Sequence, residues 1–528
     1  MKRTLARALV SGLWEMGVRH TFAIPGVHNT ELFRSIKEAG IEAILPRHEQ
    51  GAGFMADGYA RASGKPGVCF LVTGPGLSNA LTPIGQAHSD SVPLLAISTI
   101  LPRREVGKDR GLSHDMWDQA GATRSFGDLT LEFTEPSEVA ELLGRAFTRF
   151  AVQRPRPVIL QVPIDRLTIT AEDPPPLLPV PGAPQPTAPE ITRAADLIRS
   201  ANRPVIVAGG GAIDCGPALE QLMECSGAAI VTTIAAKGVV PDSHPLSLGS
   251  TAPRAATRSL LTGCDLAIVV GSELSVTDFG NDGLPFTGTM LRIDIDPQAL
   301  SINARPDMAL FGEAGTTVDA ICEMLEDRAP AFSVDEIERA RTASRQEAHT
   351  ERPGMEAMLK AIRRCLPEET VVTSDMTEIA YLANEVFEMN RPRRWLHPVG
   401  FGTLGYALPA AIGAAIVATG TPVASMVGDF GFQYTVAELG VAVERRLPII
   451  IFLWNNEKLH AIEKDMIRKQ IEPVAVRGHN PDFLKLAQSY GAASATPDSL
   501  GALEETIGIA LGEARPTVVE LRPENFVS

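Results

Sequence analysis

The sequence predicts an α/β protein of three doubly wound domains, each built on a parallel sheet. A chain of 528 residues accommodates about three domains of ordinary size. Short apolar runs alternate with amphipathic segments in three separate stretches, the pattern of repeated βαβ units. A Pro-rich stretch, DPPPLLPVPGAPQPTAP from Asp173, and a charged one near Asp335–Glu351 separate them. The expected domains are 1–172, 190–330 and 355–528, with connectors at 173–189 and 331–354.

Composition narrows the class. Hydrophobic residues make up 45% and charged residues 21% of the chain, which is ordinary for a soluble globular protein. A net charge of −15 argues against nucleic acid or an anionic membrane as partner, yet admits a cationic substrate. Six scattered cysteines show no CxxC and no nearby His at ligand spacing, so neither a zinc site nor a disulfide framework is expected. They read as small buried hydrophobes in a reducing compartment, the cytoplasm. At the N-terminus Leu5, Leu9 and Leu13 fall at helical spacing, an amphipathic helix and not a secretory segment. No apolar run approaches the length of about 18 residues needed to span a membrane.

In the first third, strands HTFAI, IEAIL, VCFLV and PLLAIS alternate with helices, the later two starting at Glu49 and Ser78. Turns at Pro25-Gly26 and Gly74-Pro75-Gly76 follow apolar runs, at the edge where such sheets bind ligands. Glu49 opens a helix, a position the macrodipole favours for an acid. His28 follows the first strand, and His114-Asp115 lie in the loop GKDRGLSHDMWDQ; both placements point to substrate contact.

In the middle third, Gly209-Gly210-Gly211 follows strand PVIVA and invites a dinucleotide reading, hence an oxidoreductase alternative. GGGAIDCG is not GxGxxG, however, and no acid ends the next strand.

The last third holds VGDFGFQYTVAELGVAVERRLPIIIFLWNN, from Val427 to Asn456. Its periods read strand, helix, strand. A right-handed crossover puts both strand ends side by side, so Asp429 and Asn456, 27 positions apart, become neighbours. A carboxylate and an amide oxygen, completed by carbonyls and phosphate, suit Mg²⁺. Taken alone, such turns are more often plain surface turns; the remaining motifs decide.

The Gly-Asp and Asn-Asn pair resembles the signature of thiamine diphosphate enzymes. That resemblance implies that Asp429, Asn456 and the backbone of Lys458 hold Mg²⁺ at the cofactor's diphosphate. Gly428, Phe430 and Gly431 would form the loop, with Phe430 standing where glycine is usual. PRHEQGAGFMADGYARASGKPGVCFLVTGPGLSNALTPIGQAHSDSVPLLAIS is similar to the pyrimidine-binding domain of the acetolactate synthase and 2-oxo acid decarboxylase family. Carried over, Glu49 hydrogen-bonds N1′ of the aminopyrimidine and favours the imino tautomer at N4′, which removes the thiazolium C2 proton. Gly74, Pro75 and Gly76 lie by the thiazolium, and Asn79 touches the cofactor across a subunit boundary. Gln86 reads as a packing amide. Thr73 stands where decarboxylases of the benzoylformate type have a histidine, so that relay is absent.

PVGFGTLGYALPAAIGAAI resembles the family's GLGTMGFGLPAAIGA. It implies that the Gly402 carbonyl accepts from N4′ and that Leu404 forces the cofactor into its bent form, which makes the proton transfer intramolecular. Thr377 would offer its hydroxyl to the diphosphate. Leu459-His460 replace a usual Tyr-Gly pair and alter the substrate wall. The arginine-bearing segment that accompanies FAD in acetolactate synthases is replaced by SELSVTDFGNDG, which argues against FAD and for a structural middle domain.

The motifs look closest to 5-guanidino-2-oxopentanoate decarboxylases. A guanidinium wants a carboxylate partner, and Glu463, Asp465 and Asp115 are the candidates. The resemblance therefore implies decarboxylation of a 2-oxo acid to an aldehyde by at least a homodimer, with a homotetramer expected. An acetolactate synthase-like carboligase acting on pyruvate is the alternative, and a non-catalytic scaffold a further one.

Overall fold

The computed structural model describes residues 3–171, 176–177 and 179–527. The boundary at Glu172, and Asp173–Pro175 and Leu178 of the Pro-rich connector, lie outside the described residues.

The apolar runs of the first third form a six-stranded parallel sheet. Its strands are β1 (His20–Ala23), β2 (Glu42–Ile44), β3 (Gly67–Leu71), β4 (Leu94–Ile100), β5 (Leu129–Glu132) and β6 (Val158–Pro163), in the order β2-β1-β3-β4-β6-β5. Every residue of β3, β4 and β6 is buried, because helices cover both faces of such a sheet. The first four helices are α1 (Leu5–Glu15), α2 (Thr30–Ala39), α3 (Glu49–Ser63) and α4 (Pro75–Ser89). The last starts before the expected Ser78: Gly74, at φ +67, turns the chain and Pro75 takes the first helical position, where its missing N–H costs nothing.

The middle sheet contains β7 (Pro204–Ala208), β8 (Ala229–Thr232), β9 (Leu266–Val270), β10 (Thr289–Asp294) and β11 (Met308–Phe311), ordered β8-β7-β9-β10-β11. Its glycines have a packing explanation. A Cβ on Gly209 would lie 2.2 Å from the Gly271 carbonyl oxygen, so the ends of β7 and β9 meet backbone to backbone. The charged stretch that follows is an 18-residue helix, Val334–Glu351. Ile337, Ala340, Ser344 and Ala348 form its buried stripe, and its acids occupy the wetter faces.

The third sheet contains β12 (Val371–Ser374), β13 (Trp395–Leu396), β14 (Val423–Gly428), β15 (Ile449–Trp454), β16 (Ala493–Ala495) and β17 (Thr517–Leu521). Its order, β13-β12-β14-β15-β17-β16, repeats the winding of the first sheet. Its helices α5 (Glu378–Val386), α6 (Ala407–Val417), α7 (Asp429–Thr435), α8 (Leu439–Glu444) and α9 (His460–Arg468) carry the candidate site. Five cysteines are buried, Cys365 is partly so, and all six are free. Among the described residues no helix is long and apolar enough to cross a membrane.

The first and third domains are fused by α3 against α6. A Cβ on Gly58 would lie 2.1 Å from the Ala410 carbonyl oxygen, and one on Gly413 1.9 Å from that of Met55. Beside this contact Tyr406 Oη donates to Asp57 at 2.7 Å. Arg61 bridges Asp57 at 2.6 Å and Asp90 at 2.8 Å, and its Nη1 donates to the His397 carbonyl at 3.2 Å.

His397 is 4% exposed, with Nδ1 at 2.8 Å from Ser374 Oγ. Burial, helped by the Arg61 charge, pushes its imidazole down to about 3. The folded chain holds it neutral while the unfolded chain binds a proton below about 6.5. Stability from this group is therefore present above pH ~6.5 and lost as the pH falls toward 3, by about 1.4 kcal/mol per unit. Urea midpoints of His397→Gln should fall less steeply than those of the parent between about pH 6 and 4; equal slopes would refute the assignment.

Candidate active site

The third domain supplies one half of the site. Strands β14 and β15 pair in parallel register, Gly428 beside Trp454, so the turns after them meet. Asp429, 3% exposed, accepts from the Phe430 N–H at 2.9 Å and from Asn480 Nδ2 at 2.7 Å. Glu457 takes φ +57, and its N–H also reaches the Asp429 carboxylate. Burial still raises that carboxyl above its ordinary range.

The two asparagines differ in occupation. Asn455 is locked: its Nδ2 donates to Glu520 at 2.7 Å and its Oδ1 accepts from Asn480 at 2.8 Å. Asn456 makes only long contacts, 3.3 Å from the Lys458 N–H to its Oδ1 and 3.4 Å from its Nδ2 to Glu378. Its oxygen is the one free to bind. Among the described residues no three His, Cys, Asp or Glu side chains cluster as a metal site. The donor set is mixed, one carboxylate and one amide with the Lys458 backbone beside them, and it fits a hard divalent ion that keeps phosphate and water as partners.

Around this edge the turns pack closely. A Cβ on Gly428 would lie 2.8 Å from Thr377 Oγ1, and one on Gly431 2.1 Å from Asp375 Oδ2. Asp375 is wholly buried and accepts from the N–H groups of Gly405, Tyr406 and Ala407 at 3.0, 2.7 and 3.0 Å. Burial lifts its carboxyl to about 6 against those donors. The turn Gly402–Gly405, with φ +67 and +78 at its two glycines, is thereby fixed. Gly402 is exposed and Leu404 half-buried. Phe430 occupies the first turn of α7, a conformation open to any residue, and its ring lies over Gly478, so no glycine is required there.

The first domain supplies the other half. Glu49 is the first residue of α3, and its Oε2 accepts from Asn79 Nδ2 at 3.0 Å. A Cβ on Gly76 would lie 2.7 Å from Val72 and 3.4 Å from Glu49 Oε1. Gly74 cannot carry a side chain either, since the His114 carbonyl oxygen would lie 2.4 Å from its Cβ. His114 Nδ1 is 3.1 Å from the Thr73 carbonyl, and its ring is 4.7 Å from that of His28. His28 Nδ1 and Asp115 Oδ2 are buried atoms without a hydrogen-bond partner. Burial, with His114 adding to it, lowers the pKa of His28.

The chain matches three thiamine pyrophosphate enzyme families: the N-terminal TPP binding domain over residues 3–122, the central domain over 191–321 and the C-terminal TPP binding domain over 375–521. It is 41% identical to the probable 2-ketoarginine decarboxylase AruI of Pseudomonas aeruginosa, across 98% of this chain and 94% of that protein. The chain belongs to the thiamine pyrophosphate enzymes. Within that family it is also 28% identical to the acetolactate synthase isozyme 3 large subunit of Escherichia coli, over 97% of this chain and 92% of that one. The probable acetolactate synthase large subunit of Methanocaldococcus jannaschii is 29% identical over 98% and 91%.

The remaining candidates divide. Leu459 precedes α9, and His460 Nε2 lies 3.2 Å from Glu378 Oε1. Glu463 is engaged by Lys458 at 2.8 Å and Arg477 at 2.7 Å, which hold its carboxyl down to about 2. Asp465 pairs with Arg468 and Lys469 on the outer side of α9 and does not join the cluster. Gln86, read as a packing amide, reaches across domains to accept from the Thr403 N–H and hydroxyl at 3.2 and 2.9 Å. Sequence reasoning missed Asp375, Glu378 as a side-chain contact, and Asn480. Asn480 sits in RGHNPDF, which signals a loop and nothing more.

Removing either asparagine should have different consequences. Asn455→Ala takes a donor from Glu520, which is 2% exposed, and should cost about 1–3 kcal/mol of stability in chemical denaturation. Asn456→Ala should leave the denaturation midpoint of the apoprotein unchanged and weaken thiamine diphosphate binding at fixed Mg²⁺ by about 10-fold or more in titration calorimetry.

Proposed function

We propose that this chain is a thiamine diphosphate- and Mg²⁺-dependent decarboxylase of a 2-oxo acid with a cationic side chain, converting 5-guanidino-2-oxopentanoate (2-ketoarginine) to 4-guanidinobutanal and CO₂. The observation that carries it is the pair of half-sites, a carboxyl held by an amide on the first domain and a mixed oxygen donor set on the third. The likeness to the Pseudomonas protein over nearly the whole chain supports the substrate.

When bound, the cofactor supplies an electron sink for the carbanion left by CO₂ loss. The protein's part is placement and proton traffic. Asn79 holds Glu49 so that its other oxygen can donate to the pyrimidine ring. Asp429, Asn456 and the Lys458 carbonyl would hold Mg²⁺ and, through it, the diphosphate, and Thr377 and Gly428 would line the same turn. Leu404 would offer the cofactor an apolar support, and Leu459 and His460 would wall the substrate. His28 and His114, whose tilted rings lie 4.7 Å apart at the first domain's ligand edge, would return a proton to the product. Glu463 already has two cations and Asp465 has its own, so Asp115, with an oxygen lacking a partner, is the carboxylate for the guanidinium.

Among the described residues no hydrogen bond or ion pair joins the Glu49 group to the Asp429 group of the same chain. Exposed apolar side chains flank both halves: Val27 (80%) beside His28, Trp117 (78%) near Asp115 and Tyr434 (53%) on α7. A second copy that covers them and closes first domain onto third across a two-fold axis fits both features. The working form is then at least a homodimer, with a homotetramer expected, in the cytoplasm.

With 5-guanidino-2-oxopentanoate, pyruvate and benzoylformate compared, the guanidino acid should give a kcat/KM at least about 100-fold higher, with aldehyde and CO₂ as products. Asp115→Asn should lower that preference by about 10-fold or more. Equal turnover of the three acids would overturn the substrate assignment. Acetolactate from pyruvate alone would favour the carboligase reading, to which the likeness to acetolactate synthases lends weight. Glu49→Ala should abolish turnover with the far-UV spectrum unchanged, and an active monomer in light scattering would contradict the shared site.

A further inference from the structure

Glu438 is a carboxylate in a place that ordinary solvation does not explain. It ends the short turn Val436–Glu438 between α7 and α8 and is 1% exposed. Apolar Val436 and Leu439 flank it. No Lys or Arg side chain forms an ion pair with it among the described residues. Its partners are backbone donors of the first domain: the Arg47 N–H at 3.1 and 3.0 Å from its two oxygens, and the His48 N–H at 3.0 Å. Burial raises its carboxyl to about 7, and the Glu49 charge adds to that rise while the two N–H groups and Arg47 oppose it.

Those two peptide groups belong to the last residues before α3, whose first residue is Glu49. His48 is the N-cap and its own Nδ1 accepts from Gln50. Room for the incoming carboxylate comes from Gly51, where a Cβ would lie 2.1 Å from Glu438 Oε1. Glycine is a poor residue for the first turn of a helix, so the missing side chain has its use in this approach. From outside, Glu444 grips Arg47 of the same turn, and Arg445 grips Glu42 at the start of the preceding strand, β2. Those pairs are half-exposed and weakly constraining; the buried carboxylate is the rigid one.

We propose that Glu438 is a positioning residue for the proton donor Glu49: by fixing the backbone of Arg47 and His48 it sets the direction in which the first side chain of α3 meets Asn79 and the cofactor's pyrimidine. Proton transfer between oriented groups is sensitive to misplacement of about 1 Å. A tilt at the entry to α3 is therefore enough to uncouple Glu49 without unfolding the domain.

The proposal rests on the reading of Glu49 given above, and the test separates the two. Deuterium exchange at C2 of thiamine diphosphate bound to the full-length protein with Mg²⁺, quenched and read by proton NMR, reports the Glu49-dependent step without substrate. Glu438→Gln keeps the size of the side chain but turns a donor or a poorer acceptor toward the two N–H groups. It should slow exchange and kcat by about 10-fold to 100-fold while KM and the affinity for thiamine diphosphate stay within about 2-fold. In a Glu49→Ala background it should add no further loss, because the two residues act through one step. Glu438→Asp, which retains the charge on a shorter stem, should recover part of the rate and serves in its place if Glu438→Gln does not fold. Exchange within about 2-fold of the parent, or an equal loss in the Glu49→Ala background, overturns the positioning role. Undiminished exchange in Glu49→Ala alone overturns instead the reading of Glu49.

Discussion

The structure depends on how closely α3 and α6 approach. Two glycines, Gly58 and Gly413, each stand where any Cβ would collide with a carbonyl of the other helix, so the helices meet backbone to backbone and their relative position is fixed to within a side chain's slack. Each helix begins at a functional element. α3 starts with Glu49, and α6 follows the turn Gly402–Gly405 that carries Leu404. One contact between domains thus sets the bearing of Glu49, the proposed proton donor, and of the turn that carries Leu404. The buried Asp57–Arg61–Asp90 group and Tyr406 secure its flank. Such a network contributes more to a single geometry than to net stability, since desolvating its charges offsets most of their attraction.

A second device recurs around that contact. Asp375, Asp429 and Glu438 are buried carboxylates that take backbone N–H groups as partners, and in each, burial raises the pKa against those donors. Carboxylates with N–H partners bind tightly to one loop conformation, because an orphaned buried charge would be far costlier than a lost neutral bond. Loops that must hold a flexible cofactor at several points gain shape this way where they lack regular hydrogen-bond ladders. Two of these acids require glycine opposite them, Gly431 for Asp375 and Gly51 for Glu438.

Much of this was legible in the sequence. Alternating apolar runs gave all three sheets, and the pairing of β14 with β15 followed from strand, helix, strand between Val427 and Asn456. Which asparagine is free to bind was not legible from spacing, because it depends on Glu520 and Asn480 occupying Asn455. Gln86 looked like a packing amide since its partner, Thr403, is 317 positions away. The positions of Asp375, Glu438 and Asn480 carry no local period, and only the fold shows which backbone or amide each one meets. Glu438 alone left a trace, a charge among apolar neighbours. The triple glycine at Gly209 invited a nucleotide reading because close strand ends and phosphate cradles ask for the same residue.

The distribution of charge near α9 bears on how a cationic substrate would be held. Lys458 and Arg477 satisfy Glu463 from both sides, so that acid offers little field to a guanidinium and the two cations would repel one approaching from their side. Glu378 faces His460, whose pKa burial lowers despite the Glu378 charge, and it lies next to Asn456, where a divalent ion would claim it first. Near α9 the third domain therefore offers little to a cationic tail. Asp115 lies on the first domain, next to His114 and near His28, whose pKa burial lowers, and one of its oxygens is left without a partner. A substrate with a carboxylate at one end and a guanidinium at the other would be oriented by that asymmetry, its cationic tail drawn to the first domain.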